Sequence, residues 1–248
     1  MDMINWHLHH RGETASTNLD ARAGVHGDVF TADFQTAGRG RLDHKWQSPP
    51  GANLMMSAVL SVEGQVPESV ATLPLVAGLA VVQAVRTLLP ASAACDVALK
   101  WPNDVFVGDR KVAGILCERN LDRVIVGIGV NVCQRVFPPE LAGRAISLGA
   151  VSGFAGSVSS VCAAVLSALG RLYETWRDDG FSAVYPAIRA IDFLRGQALA
   201  VRQTDVDDEP VCGLCRGIQP DGSLRVGETN VYAGEAHVVC ASDRAHLV

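Results

Sequence analysis

The sequence has no excess of basic charge. Its 21 lysines and arginines stand against 26 aspartates and glutamates, a net charge of −5. That balance gives no general affinity for nucleic acid, so any anion binding must come from a local cluster. The N-terminus lacks a basic segment followed by an apolar run, which excludes a signal peptide from the reading. An uninterrupted apolar stretch of membrane length is missing too. The longest candidate, Leu73 to Leu89, is broken by Pro74, Gln83 and Arg86, whereas a spanning helix needs about 20 mostly apolar residues. It reads as a buried helix in a chain with no membrane role. Nor is there a disulfide framework: seven cysteines, an odd number scattered through apolar segments, fit reduced thiols in the cytoplasm. Cys95, Cys117, Cys133, Cys162 and Cys240 read as small core residues. Cys212 and Cys215 form one close pair, without the second pair or the histidines that a zinc site requires. His7, His9 and His10 read as exposed. No internal repeat or low-complexity tract is found.

What is present is an ordinary globular composition, 48% apolar and 19% charged over 248 residues, enough for one sizeable core and a small appended module. The most unusual stretch is Thr36-Ala37-Gly38-Arg39-Gly40-Arg41-Leu42-Asp43-His44-Lys45-Trp46. Glycine lets backbone approach a ligand closely. Arginine carries a planar fork of donors suited to carboxylate or phosphate, and tryptophan offers a flat face for stacking. The combination fits a loop that closes over an anion attached to a ring; a solvated basic turn is the alternative.

Along the chain, Ser16-Thr17-Asn18 is a helix start, since Ser and Thr are good N-caps, and backbone amides at such a start can also take an anion or carbonyl. Val29 to Phe34 resembles a strand, with Gln35 where it runs into the glycine-arginine loop. Leu54 to Leu60 is a mostly buried strand. Leu75, Leu79, Val82, Val85 and Leu89 recur at helical spacing within a helix expected over Glu68–Leu89. Val97–Trp101, Val105–Val107, Lys111–Glu118 and Val124–Val132 are strands joined by two- to four-residue turns, hence antiparallel neighbours. Asp104 and Lys111 then share a face across one tight turn. Gly127 and Gly129 fall at alternate positions of a strand, where missing side chains leave room for a ligand or another backbone. They are no dinucleotide fingerprint, because no third glycine opens a helix behind them. Ser157–Trp176 and Phe181–Leu194 read as helices. From Gly196, short β-prone runs alternate with Asp- and Gly-rich turns, which suggests a small five-stranded barrel. Residues 1–195 and 196–248 are therefore the expected domains.

Six blocks in order resemble the biotin–protein ligases: Ser16-Thr17-Asn18; Gln35 with Ala37-Gly38-Arg39-Gly40-Arg41; Lys45-Trp46; Lys100-Trp101-Pro102-Asn103-Asp104; Arg110-Lys111-Val112-Ala113-Gly114-Ile115-Leu116; and Gly127-Ile128-Gly129-Val130-Asn131. The resemblance covers nearly the whole chain. It implies an α+β catalytic domain related to class II aminoacyl-tRNA synthetases, with a mixed sheet and helices, followed by an SH3-like barrel. It also implies a two-step ligase. Biotin and ATP give biotinoyl-5′-AMP and pyrophosphate, and a lysine of a biotin carboxyl carrier domain of a biotin-dependent carboxylase then attacks the anhydride.

Those chemistries explain the residue types. Bringing a carboxylate to the α-phosphate forces two anions together, so positively charged donors that strengthen as charge builds are the natural catalysts. By resemblance Lys111, Arg39 and Arg41 supply them, with Lys111 bridging carboxylate and phosphate. Ser16, Thr17, Asn18, Gln35, Arg39, Gly40, Arg41, Lys111 and Gly114 match the family's biotin-binding positions. Arg41, Trp46, Asn103 and Asn131 match the ATP side, with Trp46 stacking on adenine and Asn131 hydrogen-bonding it. The backbone around Gly114 and Leu116, with Trp101, offers an apolar slot, although Trp101 also reads as a core tryptophan. Mg²⁺ is expected with the ATP phosphates. Asp104 either helps to hold it through water or takes a proton from the attacking lysine; capping the turn after Pro102-Asn103 is a third role.

Asp43-His44 departs from the more glycine-rich or basic loops of many relatives. Fifteen residues precede Ser16, too few for the helix-turn-helix domain with which some bacterial relatives repress biotin operons, so a ligase without DNA binding is expected. A lipoate–protein ligase and a non-catalytic biotin or nucleotide binder are the rivals. The former is opposed by the glycine-arginine loop and the β-rich C-terminal module, the latter by intact Arg39, Arg41 and Lys111. The oligomeric state is open, monomer or homodimer, with Val124–Val132 as a candidate pairing edge. Glycines that give the loop mobility imply that it orders over the adenylate to exclude water. Protease cleavage near Arg41 should therefore slow when biotin and ATP are added together.

Overall fold

The computed structural model describes residues 4–42, 44–203 and 209–239. Strands β1 (His7–Thr14), β2 (Asp28–Gln35), β3 (Leu54–Ser61), β4 (Val97–Lys100), β5 (Asp104–Val107), β6 (Arg110–Asn120) and β7 (Arg123–Val130) form one seven-stranded sheet in the order β1-β2-β3-β7-β6-β5-β4. Only β1 and β2 run parallel; every other pair is antiparallel, and β4 to β7 follow one another hairpin by hairpin. The fold is thus a mixed α+β one. Strand β1 emerges from a stretch that reads as a mere lead-in, and it is exposed along almost its whole length. Its histidines are exposed as expected. His9 stacks on Phe30 and lies 3.0 Å from Asp28 Oδ1.

The helices are α1 (Thr17–Asp20), α2 (Pro67–Val70), α3 (Leu73–Leu88), α4 (Ala91–Ala94), α5 (Val158–Asp179) and α6 (Phe181–Ala190). The single helix expected over Glu68–Leu89 is two. Pro74 in the first turn of α3 cannot donate to a preceding turn, so the chain breaks at Ala71-Thr72 and restarts. The stretch 67–88 is long and apolar enough to cross a membrane, yet 67% of it is buried within the protein. It packs on α5 and the sheet through Leu75, Val76, Leu79, Val82 and Val85. From the sheet, Val124, Val126, Ile128 and Val130 of β7 enter the same core.

Helix α6 ends at Ala190, short of Leu194. Asp192 Oδ1 accepts from Leu194 N and Oδ2 from Ile218 N, and Leu99 exchanges backbone bonds with Ile191 and Phe193. Residues 191–193 thereby cover the edge of β4 instead of continuing a helix. Strand β7 is no edge either: β3 and β6 flank it and satisfy its backbone. Pairing between copies through Val124–Val132 is accordingly ruled out, and the uncovered outer strand is β1.

Beyond Gly196, β8 (Ala198–Arg202), β9 (Val211–Ile218), β10 (Leu224–Val226), β11 (Thr229–Val231) and β12 (Glu235–Val238) make a five-stranded antiparallel sheet, in the order β11-β10-β9-β8-β12. The turn expected at Asp205–Glu209 lies mostly outside the described residues. The small sheet shares the main core through Leu199, Ile218 and Leu224. Trp101 Nε1 donates to Gly222 O at 3.1 Å, and the Tyr185 hydroxyl to Ile218 O at 3.1 Å.

The cysteines divide. Cys162 is buried, but Cys95 and Cys133 are exposed and do not belong to the core; Cys240 lies outside the described residues. Burial pushes the Cys117 thiol up to about 12, assisted by Glu118. Cys212 and Cys215 are both free, and no cluster of metal-ligating side chains occurs among the described residues.

Ser157 caps α5 in a reciprocal box with Ser160. Losing such a cap costs about 1 kcal/mol, so Ser157→Ala should lower the unfolding free energy in urea by about that amount without changing the slope.

Candidate active site

The floor of the site is made of glycine. Gly114 on β6 and Gly129 on β7 are cross-strand partners, and Gly127 pairs with Leu116 one step along. A Cβ at Gly129 would lie 2.6 Å from the Trp46 ring, one at Gly127 would overlap the Asn18 side chain, and one at Gly114 would lie 3.2 Å from Lys111 Nζ. The room that alternating glycines leave is therefore taken by side chains from a helix, a loop and a neighbouring strand. Around this floor opens a cleft of about 800 Å³, which Ser16, Gln35, Arg41, Lys111, Asn131 and Glu235 help to line.

On one side stands a polar network. Ser16 sits at the N-cap position of α1, as the sequence predicts, but its side chain makes no capping bond; the residue is buried and its hydroxyl is left for the cleft. Gln35 Oε1 accepts from Thr17 N at 2.7 Å and from the Thr17 hydroxyl at 3.1 Å. This orients the Gln35 amide with Nε2 uncommitted among the described residues. Ser57, fully buried on β3, lies 2.8 Å from Thr17 Oγ1 and 2.6 Å from Asn18 Oδ1. Asn18 Nδ2 donates to Glu118. Both ends of the Asn18 amide are thus spent on the protein.

On the other side are the cations. The two ends of the loop are paired: Trp46 N donates to Gly38 O at 3.0 Å, and Arg39 forms a β-bridge with Lys45. Arg39 Nη2 lies 3.5 Å from Glu118 Oε1. Arg41 Nη1 reaches Gly234 O at 3.4 Å, and His44 Nδ1 lies 3.6 Å from Glu235, so the loop leans on β12. Asp43 lies outside the described residues. Asp104 and Lys111 meet as the hairpin spacing predicts, with Nζ 2.6 Å from Oδ1. Lys100 lines the same cleft, 5.3 Å from the Phe106 ring centroid. Burial holds its ammonium below the usual lysine range, opposed by Asp104.

Trp46 lies over the Gly114–Gly129 pair with its indole N–H buried and unpartnered. Asn131 Nδ2 donates to Ile146 O at 3.2 Å, which leaves Oδ1 as an acceptor. Asn103 is spent on structure: Nδ2 donates to Ile115 O at 2.6 Å, and its carbonyl accepts from Ile115 N. Trp101 is buried, its N–H committed to Gly222, in line with the core reading. All the sequence-predicted positions lie in or beside one cleft. Sequence reasoning missed Ser57, Glu118 and Lys100. Lys100 opens one recognised block and Glu118 lies two residues past another, but nothing in their spacing signals where the side chains go.

The cleft thus sets cations against a polar recognition network across a glycine floor. The Biotin/lipoate A/B protein ligase family matches residues 15–132. The biotin--[acetyl-CoA-carboxylase] ligase of Mycobacterium tuberculosis is 33% identical over 243 residues, covering 95% of this chain and 87% of that one. The bifunctional ligase/repressor BirA of Salmonella typhimurium is 29% identical, covering 83% of this chain and 63% of its own length. The chain thus spans less than two thirds of the bifunctional relatives. The structure of biotin protein ligase from Aquifex aeolicus in complex with biotin and ATP superposes with a TM-score of 0.80 at 29% identity, covering 94% of this chain and 99% of that one. The chain belongs to the biotin–protein ligase family.

Adding a methyl group beneath a packed ring costs about 1–3 kcal/mol. Gly129→Ala should therefore displace Trp46 from the floor, seen as a red shift of tryptophan emission, and should weaken ATP binding in a calorimetric titration.

Proposed function

We propose that the protein activates biotin with ATP to biotinoyl-5′-AMP and transfers the biotinoyl group to a lysine of a biotin carboxyl carrier domain. The observation that carries this reading is the convergence of Lys111, Arg39 and Arg41 on one cleft with the Ser16–Thr17–Gln35 network. The ureido ring of biotin offers one carbonyl acceptor and two N–H donors, and an unmatched buried polar group costs about 1–3 kcal/mol. The uncommitted Gln35 Nε2 and the Ser16 hydroxyl supply donors, and the Thr17 oxygen an acceptor. The thiophane and valeryl chain lie along Gly114 and Leu116.

In the first step the biotin carboxylate attacks the α-phosphate and pyrophosphate leaves. Lys111, beside Gly114, contacts both reacting anions, while Arg39 and Arg41 close over carboxylate and phosphate; Gly40 lets the loop backbone approach. Trp46 faces the adenine and Asn131 Oδ1 accepts from its amino group. Asn103 acts on the ATP side by holding β6 in place. In the second step the neutral amine of the carrier lysine attacks the acyl carbon and AMP leaves.

Mg²⁺ fits as a partner of the ATP phosphates but not of a protein cage, since no cluster of three ligating side chains exists among the described residues. Asp104 would hold it through water, in keeping with the few carboxylates magnesium uses in nucleotide sites, and the ion would neutralise phosphate charge. The close pairing of Asp104 with Lys111 equally supports a role in orienting that lysine or in taking the incoming amine's proton.

The mixed sheet with helices on its core side supports kinship with class II aminoacyl-tRNA synthetases. Strands β8 to β12 support an SH3-like module with its boundary at 195/196, the negative net charge supports a ligase without DNA binding, and the free cysteines support a reducing, cytoplasmic setting. Incubation of the purified chain with biotin, ATP, Mg²⁺ and a carrier domain should add one biotinoyl mass to the carrier. Lipoyl addition instead, or no mass gain with biotin, would overturn the proposal. Loss of one charge-stabilising donor costs about 3–4 kcal/mol, so Lys111→Ala should slow adenylation by roughly 10²–10³-fold; a variant at full rate would refute its role.

A further inference from the structure

We infer that Glu118 is a positioning residue for biotin, setting the donor–acceptor direction of the recognition network and holding Arg39 at its rim. The inference rests on the biotin reading above. Glu118 stands on the same face of β6 as Gly114 and Leu116, past the residues that line the cleft. Its two oxygens are divided: Oε2 accepts from Asn18 Nδ2, while Oε1 lies 3.5 Å from Arg39 Nη2 and 3.9 Å from Arg22 Nη2. Among the described residues it is the carboxylate that touches both the network and the glycine-arginine loop.

A carboxylate only accepts. Facing it, the Asn18 amide has to present Nδ2, and Oδ1 then has to face Ser57. Ser57 has one proton, and at 2.6 Å from Asn18 Oδ1 it gives it there. The Thr17 hydroxyl spends its own proton on Gln35 Oε1, so toward Ser57, 2.8 Å away, and toward the cleft its oxygen is an acceptor. An acceptor at Thr17 is what a ureido N–H requires. The direction of the Asn18 and Ser57 bonds thus follows from one fixed charge. Asn18 cannot relieve a misdirected chain by moving, because the Gly127 backbone lies directly against it.

The Arg39 contact cannot be explained as a stability device. The arginine side chain is 45% exposed, and exposed ion pairs contribute little. What the contact does is aim the guanidinium: without Glu118 the long side chain at the loop's rim would be free to swing into solvent.

Glu118→Gln keeps size and an acceptor oxygen. It also offers an NH₂ that allows the Asn18 amide to flip, and it removes the charge from Arg39. In purified full-length protein, we expect the biotin Kd and KM to rise about tenfold with the KM for ATP unchanged. Transfer from added biotinoyl-AMP should keep its maximal rate. Glu118→Asp should recover part of the biotin affinity. In a Ser57→Ala or an Arg39→Ala background the effect of Glu118→Gln should shrink, which tells which arm carries it. Unchanged biotin affinity, an equal rise in the ATP constant, or full additivity in both backgrounds would overturn the inference. Failure of the unsubstituted protein to bind biotin would instead sink the proposed function itself.

Discussion

The site exists because one face of β6 and β7 is mostly bare backbone where the cleft lies, with Leu116 standing opposite Gly127. Gly114, Gly127 and Gly129 present bare backbone over two strands, while the opposite face of β7 is valine and isoleucine packed into the core. The same strand is therefore a wall of the hydrophobic interior and the floor of a polar site. Its alternation is strict enough to keep the two apart. Because the floor is backbone, Asn18, Trp46 and Lys111 can be laid on it from three different parts of the chain. A β-carbon at Gly127 or Gly129 would collide with Asn18 or Trp46, and one at Gly114 would crowd Lys111.

Upon that floor the charges are arranged in opposition. Lys111 and the loop arginines bring positive charge to an otherwise acidic protein, and each is held by an acceptor: Asp104, Glu118 or the carbonyl of Gly234. Cations tethered in this way need little reorganisation when an anion arrives, which is the condition for stabilising charge that develops during reaction. Burial of Lys100 beside an aromatic ring adds a fourth positive group whose charge is already disfavoured by its surroundings. It gains from a phosphate nearby more than an exposed lysine would.

Much of this was legible in the sequence, and the reasons differ by element. The Asp104–Lys111 pair followed from the two-residue turn between their strands, although a bulge at Val105-Phe106 shifts the register and sets Asp104 opposite Gly114. The glycines of β7 declared themselves by alternation, and Ser157 by its place ahead of a periodic apolar face. What was not legible depended on partners distant in the chain. Glu118 reads as the end of an apolar strand, and its role is set by Asn18 and Arg39, which lie far away in sequence. The central position of β7 depends on β3 returning to pair with it. The early end of α6 reflects competition from the open edge of β4. Cys95 and Cys133 were misjudged because small apolar residues occur on surfaces as well as in cores.

The small sheet beyond Gly196 shares its interior with the large one, and Trp101, Tyr185 and Asp192 stitch the two together by bonds to Gly222 and Ile218. The two sheets therefore do not behave as beads on a string. Exposing the C-terminal strands would strip cover from Leu194 and its neighbours at once. A chain severed near residue 196 would give two fragments, each with a raw apolar face. Their reassembly, when both are supplied, would restore the fold by complementation.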